Sequence, residues 1–192
     1  MDQVTGVILA GGRSSRMGGQ DKTLALLHGE TLLKRAVRQL VPQTARLILN
    51  TNADPKQFVS HGIATLADRL SGLPGPLAGI HAALYEYPQS IVLTVAVDIP
   101  YFPADLVQRL QAGLGGATCS YAFNGEHHAL ALVWAPDSAG LVEAYLATGE
   151  RSLKGFLAEH GRAVLFNRPG DEGLFDNLNT PDDLARVEQA LA

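Results

Sequence analysis

The chain has 192 residues, of which 46% are hydrophobic and 18% are charged, a composition typical of a folded globular protein. We expect one domain over residues 1–192, since single domains commonly run about 100–200 residues. The net charge is −4, with 15 basic and 19 acidic side chains, which argues against a nucleic-acid-binding face. The single cysteine, Cys119, excludes an intrachain disulfide. No basic leader and no apolar run of about 20 residues is present, so we expect a cytoplasmic protein that binds no membrane.

Apolar runs alternate with amphipathic stretches along the whole chain. Strands are predicted at Val4–Leu9, Arg46–Asn50, Ile63–Leu66, Ile91–Val97, Ala117–Phe123, Ala129–Trp134 and Ala163–Phe166. Helices are predicted at Leu32–Leu40, Leu77–Tyr85, Ala104–Leu110, Asp137–Leu146, Leu153–His160 and Asp182–Leu191. Strands that alternate with helices form a mostly parallel sheet. The sequence therefore predicts a Rossmann-like three-layer α/β fold, with a small β-excursion or hairpin in the C-terminal half.

A glycine-rich segment, Leu9–Lys22, follows the first predicted strand, where ligands bind in such sheets. Its glycines allow the backbone to approach a ligand closely, and successive amides can surround an anion. Arg13, Arg16 and Lys22 add positive charge suited to phosphate oxygens. The segment matches neither the P-loop nor the dinucleotide-binding fingerprint. A surface turn with solvated basic groups is the alternative, but position and charge favour phosphate binding.

Asp98 comes where the most apolar predicted strand stops, directly before Ile99 and Pro100. A buried carboxylate without a partner costs several kcal/mol, so Asp98 should face a cation or hydrogen-bond donors. A turn aspartate or helix cap is the alternative interpretation. One carboxylate beside a triphosphate is enough to hold Mg²⁺, which also takes phosphate oxygens and waters. We expect Asp98 to face the glycine-rich segment.

These motifs carry a family resemblance. Leu-Ala-Gly-Gly, then Ser-x-Arg-Met-Gly-Gly and Asp-Lys, resembles the signature of nucleotidyltransferases, and more narrowly that of the molybdenum cofactor guanylyltransferases. Related cytidylyl- and sugar-nucleotide enzymes usually read Leu-Ala-Ala-Gly here and often lack the Asp before the Lys, so Gly12 and Asp21 are the residues that separate the two groups. The likeness is strongest in three segments, at Leu9–Lys22, Asp98–Pro100 and Asn177–Leu184.

The resemblance implies a set of site residues. Catalytic roles fall on Arg16, Lys22 and Asp98, and Asp98 would also ligate Mg²⁺. Nucleotide binding is implied for Leu9, Ala10, Gly11, Gly12, Lys22, Asn50, Asp68, Gly79 and Asp98. Asn177 and Asn179 are implied in acceptor binding. Asn50 and Asp68 have plain alternatives as turn residues, and Thr180 with Pro181 is expected to cap and begin the last helix.

The activity implied by the resemblance is transfer of GMP from GTP to the terminal phosphate of molybdopterin. The products would be pyrophosphate and a molybdopterin guanine dinucleotide, and molybdoenzymes or their chaperones would be partners. The alternatives are a cytidylyl- or sugar-phosphate nucleotidylyltransferase of the same fold, and a non-catalytic nucleotide or cofactor carrier.

His127 and His128 make a poor metal pair, because strand neighbours point to opposite faces. Ala129 replaces a proline usual in the family, which weakens any pterin contact predicted from this loop.

Overall fold

The computed structural model describes residues 4–10, 16–17, 20–70, 72, 75–171 and 173–190. Its centre is a seven-stranded sheet. The strands in chain order are β1 (Val4–Leu9), β2 (Arg46–Asn50), β3 (Ala64–Leu66), β4 (Ile91–Ala96), β5 (Cys119–Phe123), β6 (His127–Trp134) and β7 (Gly161–Leu165). Across the sheet their order is β7-β5-β6-β4-β1-β2-β3. Every neighbouring pair is parallel except the two pairs that contain β6, so the sheet is mostly parallel, as predicted.

Helices cover both faces of this sheet. They are α1 (Leu32–Leu40), α2 (Pro76–Glu86), α3 (Leu106–Gly113), α4 (Ala139–Ala147), α5 (Leu153–His160) and α6 (Pro181–Ala190). Buried side chains of α1 and α3 share one hydrophobic cluster, against which α6 packs, while those of α2, α4 and α5 share a second cluster. The two clusters lie on opposite faces of the sheet, which confirms the three-layer prediction.

The apolar runs decide which strands become central. All six residues of β1 and all six of β4 are buried, because both strands are covered by helices on two sides. Inside this layer the Trp134 indole N–H donates to the Thr94 hydroxyl at 2.9 Å, so the one polar group of β4 is satisfied without water. The buried strands β1 and β4 therefore position the segments that follow their carboxyl ends, the glycine-rich segment and Asp98.

Most predicted elements are confirmed, with shifts of up to three residues at their ends. The strand before Asn124–Glu126 and the strand after it form an antiparallel pair, so the predicted hairpin exists. It is not an excursion, however, since β6 lies between β4 and β5 within the main sheet. Two short hairpins before α1 were not predicted: Arg16–Met17 pairs with Gln20–Asp21, and Leu26–Leu27 with Glu30–Thr31. Two-residue strands are too short to show a period of hydrophobicity.

Among the described residues, no helix has both the length and the apolar character that crossing a membrane would require. Over the same residues there is no group of three or more His, Cys, Asp or Glu side chains able to hold a metal ion by themselves.

Candidate active site

Three side chains that are far apart in sequence meet beyond the carboxyl end of β4. The Lys22 ammonium donates to Asp98 Oδ2 at 2.8 Å and to Asn179 Oδ1 at 3.0 Å. Lys22 is only 3% exposed and the Asp98 side chain 13%, so this ion pair is shielded from water. Lysine has three N–H donors, of which two are used within the part of the chain that the structure describes. The sequence prediction that Asp98 faces a cation is confirmed, and the cation is Lys22.

The second oxygen of Asp98 has no partner among the residues that the structure describes. Asp98 Oδ1 is buried and accepts no hydrogen bond from any of them, although an unsatisfied buried polar atom typically costs about 1–3 kcal/mol. A carboxylate oxygen in this state suits a bound cation or a donor supplied by a ligand. Since Mg²⁺ takes one or two carboxylates together with phosphate oxygens and water, the donor set fits a divalent ion bound jointly with a triphosphate.

The C-terminal segment that carries Asn179 is held against this site by its own backbone. The Leu178 N–H donates to the Asp98 carbonyl at 2.9 Å, and Leu178 is fully buried. Thr180 then caps α6, because its hydroxyl accepts from the Asp183 N–H at 3.1 Å, and the helix begins at Pro181 as predicted. The cap fixes where the segment turns, and thereby brings Asn179 to Lys22.

A buried ion pair anchors the same segment further upstream. Arg109 of α3 binds Asp171 with two parallel hydrogen bonds of 2.8 and 2.9 Å, and its guanidinium lies over the Phe166 ring at 3.7 Å. The Arg109 hydrogen bond lowers the pKa of Asp171 below its ordinary value. Such a bidentate pair fixes orientation as well as position. Nothing in the sequence paired these two residues, which are 62 positions apart.

A second polar cluster follows β2 and β3. The Asn50 amide donates both to the Leu66 carbonyl at 3.1 Å and to Asp68 Oδ1 at 3.0 Å, and Asn50 is 2% exposed. A Cβ on Gly79 would lie 2.0 Å from Asn50 Oδ1, so only glycine fits at this point of α2. Asn50 is therefore a buried link between β2, β3 and α2, and its predicted contact with the nucleotide base stays a prediction.

Asp68 is oriented from both sides. Asn50 holds Oδ1, and the Asn52 amide donates to Oδ2 at 2.8 Å, while Asn52 Oδ1 accepts from the Asp68 N–H at 3.0 Å. Asp68 is only half-buried, so its carboxylate keeps lone pairs that a ligand can reach. The sequence prediction missed Asn52, although the spacing Asn-x-Asn at the end of a strand was a usable signal, because alternate residues share a face.

The remaining predicted residues have mixed outcomes. The Leu9 carbonyl accepts from the Val97 N–H at 3.1 Å, and the Ala10 N–H donates to the Asn50 carbonyl at 3.0 Å, so these groups tie β1 to its two neighbours. Asn177 is exposed, two residues from Asn179. Gly11 and Gly12 lie outside the described residues. For Arg16 only the main chain is described, and its predicted role is untested.

His127, His128 and Cys119 have separate surroundings. His127 Nδ1 lies 3.0 Å from the Tyr121 hydroxyl, whereas His128 stacks on Phe175. These partners belong to different faces of the sheet, which confirms that the two histidines point apart. Cys119 is buried, and burial raises the pKa of its thiol to about 12, so it stays protonated and unreactive.

One further histidine, His81 in α2, is buried. It is 2% exposed, and neither ring nitrogen forms a hydrogen bond with any residue that the structure describes. Burial lowers its pKa from the ordinary value, Glu143 acts in the opposite direction, and Arg69 adds to the lowering. His81 is therefore neutral in the folded protein near pH 7, which affects stability rather than chemistry.

Comparisons with known proteins identify the family of the chain. Residues 6–164 match the model of the MobA-like NTP transferase domain family. The chain is 40% identical over 189 residues to the molybdenum cofactor guanylyltransferases of Yersinia pestis (strain Pestoides F) and Yersinia pseudotuberculosis (serotype O:1b, strain IP 31758). Each match covers 97% of this chain and 95% of the relative.

Solved structures show the same fold. Molybdopterin-guanine dinucleotide biosynthesis protein A from Archaeoglobus fulgidus superposes with a TM-score of 0.76 at 24% identity, covering 98% of both chains. CMP:2-keto-3-deoxy-manno-octonic acid synthetase, solved with CTP, gives a TM-score of 0.69 at 11% identity, covering 98% of this chain and 97% of that one. The fold is therefore shared with enzymes for different nucleotides, and family membership depends on the closer sequence relatives. On that evidence the chain belongs to the molybdenum cofactor guanylyltransferases, within the MobA-like NTP transferase domain family.

Proposed function

We propose that this enzyme transfers GMP from GTP to the terminal phosphate of molybdopterin, releasing pyrophosphate and forming a molybdopterin guanine dinucleotide. The observation that carries the proposal is the shielded Lys22–Asp98 ion pair, with Asn179 as a second acceptor for Lys22 and with Asp98 Oδ1 unsatisfied by any described residue at the carboxyl edge of the sheet. Its support is the family membership of the chain. The N-terminal half would bind the nucleotide and the C-terminal half the acceptor, within a single domain.

The chemistry needs no general base. A terminal phosphate oxygen of the acceptor attacks the α-phosphorus of GTP, the bond from that phosphorus to the bridging oxygen breaks, and pyrophosphate leaves with the electron pair. The attacking phosphate is already deprotonated, so catalysis reduces to alignment and charge neutralisation. This agrees with an edge of the sheet where the described side chains offer one free carboxylate oxygen and one ammonium donor.

Asp98 would hold a divalent ion, which we propose to be Mg²⁺, through Oδ1. When bound, such an ion neutralises charge on phosphate oxygens that would otherwise repel one another. Lys22 keeps one donor for a phosphate oxygen, and Asn179 holds the ammonium in place. Arg16 would add a second positive charge beside the leaving pyrophosphate, and the backbone from Leu9 to Gly12 would line the nucleotide.

Guanine selection would fall to the cluster after β2 and β3. Guanine presents two adjacent N–H donors, at N1 and at the 2-amino group, and a carboxylate accepts such a pair bidentately. Asp68 is the one acidic group of this cluster, and Asn50 and Asn52 orient it. Cytosine and uracil present no equivalent pair of donors, so the arrangement favours GTP over CTP and UTP.

The test is incubation with molybdopterin, Mg²⁺ and each of GTP, CTP, ATP and UTP, followed by pyrophosphate release and product mass. We expect product with GTP alone, and turnover lower on the order of 10³-fold in Asp98→Ala. Glu86→Ala serves as the control, since Glu86 is exposed at the far end of α2 and should retain full turnover. Product with CTP instead would transfer the assignment to a cytidylyltransferase, and binding without any pyrophosphate release would indicate a carrier.

A further inference from the structure

The residue after Asp68 reaches across to helix α2. The guanidinium carbon of Arg69 lies 3.6 Å from the centroid of the Tyr85 ring, and Tyr85 is 51% exposed. A cation over the face of an aromatic ring is attracted by the ring electrons. Arg69 forms no ion pair with any other residue in the described part of the chain. The contact with Tyr85 is therefore a specific link between this segment and α2.

The Tyr85 ring extends from the far part of α2 back toward the nucleotide cluster. Helical side chains point toward the N-terminus of their helix, and the ring centroid of Tyr85 lies 6.1 Å from that of His81, one turn earlier. Arg69 is also close enough to His81 to contribute to the lowering of its pKa. The first turn of α2 contains Gly79, which packs against Asn50. Arg69 and Tyr85 thus bridge the distance between the two ends of the helix.

The backbone that follows Asp68 has few other attachments. Before this point the Asp68 N–H and carboxylate are held by Asn52 and Asn50. Neither Arg69 nor Leu70 forms a backbone hydrogen bond with another described residue. Leu70 packs partly buried against the hydrophobic cluster that contains α2. Within the described residues, the side chains of Arg69 and Leu70 are therefore what attaches this segment to the helix.

We propose that Arg69 is a positioning residue for the nucleotide: its contact with Tyr85 fixes the segment that presents Asp68, and so sharpens selection for the 2-amino group of guanine. A carboxylate that accepts two neighbouring N–H groups must keep its orientation within roughly 10–20°. The inference rests on the proposed function, in which Asp68 accepts from guanine. It adds a pair of residues that act on the base without touching it.

The experiment compares GTP with inosine triphosphate, whose base lacks the 2-amino group and offers Asp68 the N1–H alone. Arg69→Ala should raise the KM for GTP about 2- to 5-fold, the factor that corresponds to a surface cation–π contact of about 0.5–1 kcal/mol. Its kcat with molybdopterin and Mg²⁺ should be unchanged. The ratio of kcat/KM for GTP to that for inosine triphosphate should fall about twofold or more. A general loss of folded protein would lower both values alike and leave the ratio at its wild-type value.

Variants of the ring test whether the contact itself is responsible. Tyr85→Leu should reproduce the effect of Arg69→Ala, whereas Tyr85→Phe keeps the aromatic face and should behave as wild type. The double variant Arg69→Ala with Tyr85→Leu should be no worse than either single variant. Effects that add in the double variant would mean that the two residues act separately, which would overturn the inference.

A second contact of the same kind supplies the matched control. The Arg46 guanidinium lies over the Tyr87 ring at 5.2 Å, and Arg46 begins β2, at the end of the sheet away from the site. Arg46→Ala should therefore leave the KM for GTP and the nucleotide ratio unchanged. A change of the ratio in Arg46→Ala equal to that in Arg69→Ala would show a general effect on the fold and would overturn the inference.

Asp68→Asn distinguishes failure of this inference from failure of the proposed function. If Asp68→Asn lowers the nucleotide ratio while Arg69→Ala and Tyr85→Leu keep it, the positioning role is wrong and the role of Asp68 stands. If Asp68→Asn keeps the ratio, or the wild-type enzyme uses both nucleotides equally, Asp68 does not read the 2-amino group and the inference falls with it. A wild-type protein that releases no pyrophosphate from GTP and molybdopterin would instead overturn the proposed function itself.

Discussion

Removing the carboxylate of Asp98 should affect stability as well as turnover. Lys22 is 3% exposed and has two hydrogen-bond partners, Asp98 and Asn179. Asp98→Ala leaves a buried ammonium with one neutral acceptor. Loss of one partner of a buried ion pair typically costs about 3–5 kcal/mol, against a total unfolding free energy of roughly 5–15 kcal/mol for a domain. The variant should therefore fold, but with much of its stability lost.

A double variant separates the energetic effect of breaking the ion pair from the effect of removing both side chains. In Lys22→Met with Asp98→Ala no buried charge is left, so the unfolding free energy should return to within about 1 kcal/mol of wild type. Lys22→Met alone should cost about 1–3 kcal/mol, because the Asp98 carboxylate is left unpaired. The coupling between the two sites, from urea denaturation of all four proteins, should be at least about 2 kcal/mol.

Activity should not follow the recovery of stability. Pyrophosphate release at saturating GTP and molybdopterin should fall on the order of 10³-fold in Asp98→Ala and at least about 10²-fold in Lys22→Met, as expected when an electrostatic stabiliser is lost. The double variant should be stable and inactive. Asp98→Ala with wild-type stability would mean that the ion pair does not form in solution. Near-normal turnover in that variant would refute the catalytic role of Asp98.

Two further predictions concern α2 and its surroundings. Gly79→Ala should raise the KM for GTP and cost about 1–3 kcal/mol of stability, because the new Cβ would overlap the side chain of Asn50. Gly140→Ala is the control, since a Cβ there meets nothing within 4 Å, and it should be neutral or slightly stabilising in thermal melts. His81 should lower the stability of the protein as the pH falls. In the unfolded chain the His81 imidazole takes up a proton near its ordinary pKa of about 6.5, whereas in the folded chain its pKa is lower. The unfolding free energy should thus decline as pH drops below about 6.5, and His81→Phe should reduce that slope in urea titrations between pH 5.5 and 8; identical slopes in the two proteins would contradict the assignment.

Part of the site could be predicted because its signals are local. Val4–Leu9 and Ile91–Ala96 are uninterrupted apolar runs, and such runs become central parallel strands. A parallel sheet places ligands beyond the carboxyl ends of its strands, which is why Lys22 and Asp98 could be chosen as site residues. The cap at Thr180 was equally readable, since a hydroxyl before proline begins a helix in a known way.

Other parts depended on contacts between distant segments. The sequence predicted the hairpin of β5 and β6, but only strand order shows that β6 lies inside the sheet. The contact of Asn50 with the base stays a prediction, and only the fold shows that its amide donates to Leu66 and Asp68. The Asn-x-Asn spacing could have indicated Asn52, but its partner, Asp68, is 16 residues away and only the fold shows that pairing.

The chain by itself determined the fold class, and it indicated the glycine-rich segment, Lys22 and Asp98 as the proposed site, because strand periodicity and motif spacing are properties of neighbouring residues. The tertiary structure alone decided that Asn179 accepts a second hydrogen bond from Lys22 and that one oxygen of Asp98 has no hydrogen-bond partner among the described residues. It also decided that Tyr121 and Lys154 line a common pocket. The physical reason is that hydrogen bonding and desolvation depend on which surfaces pack together, and packing joins residues that no local pattern relates.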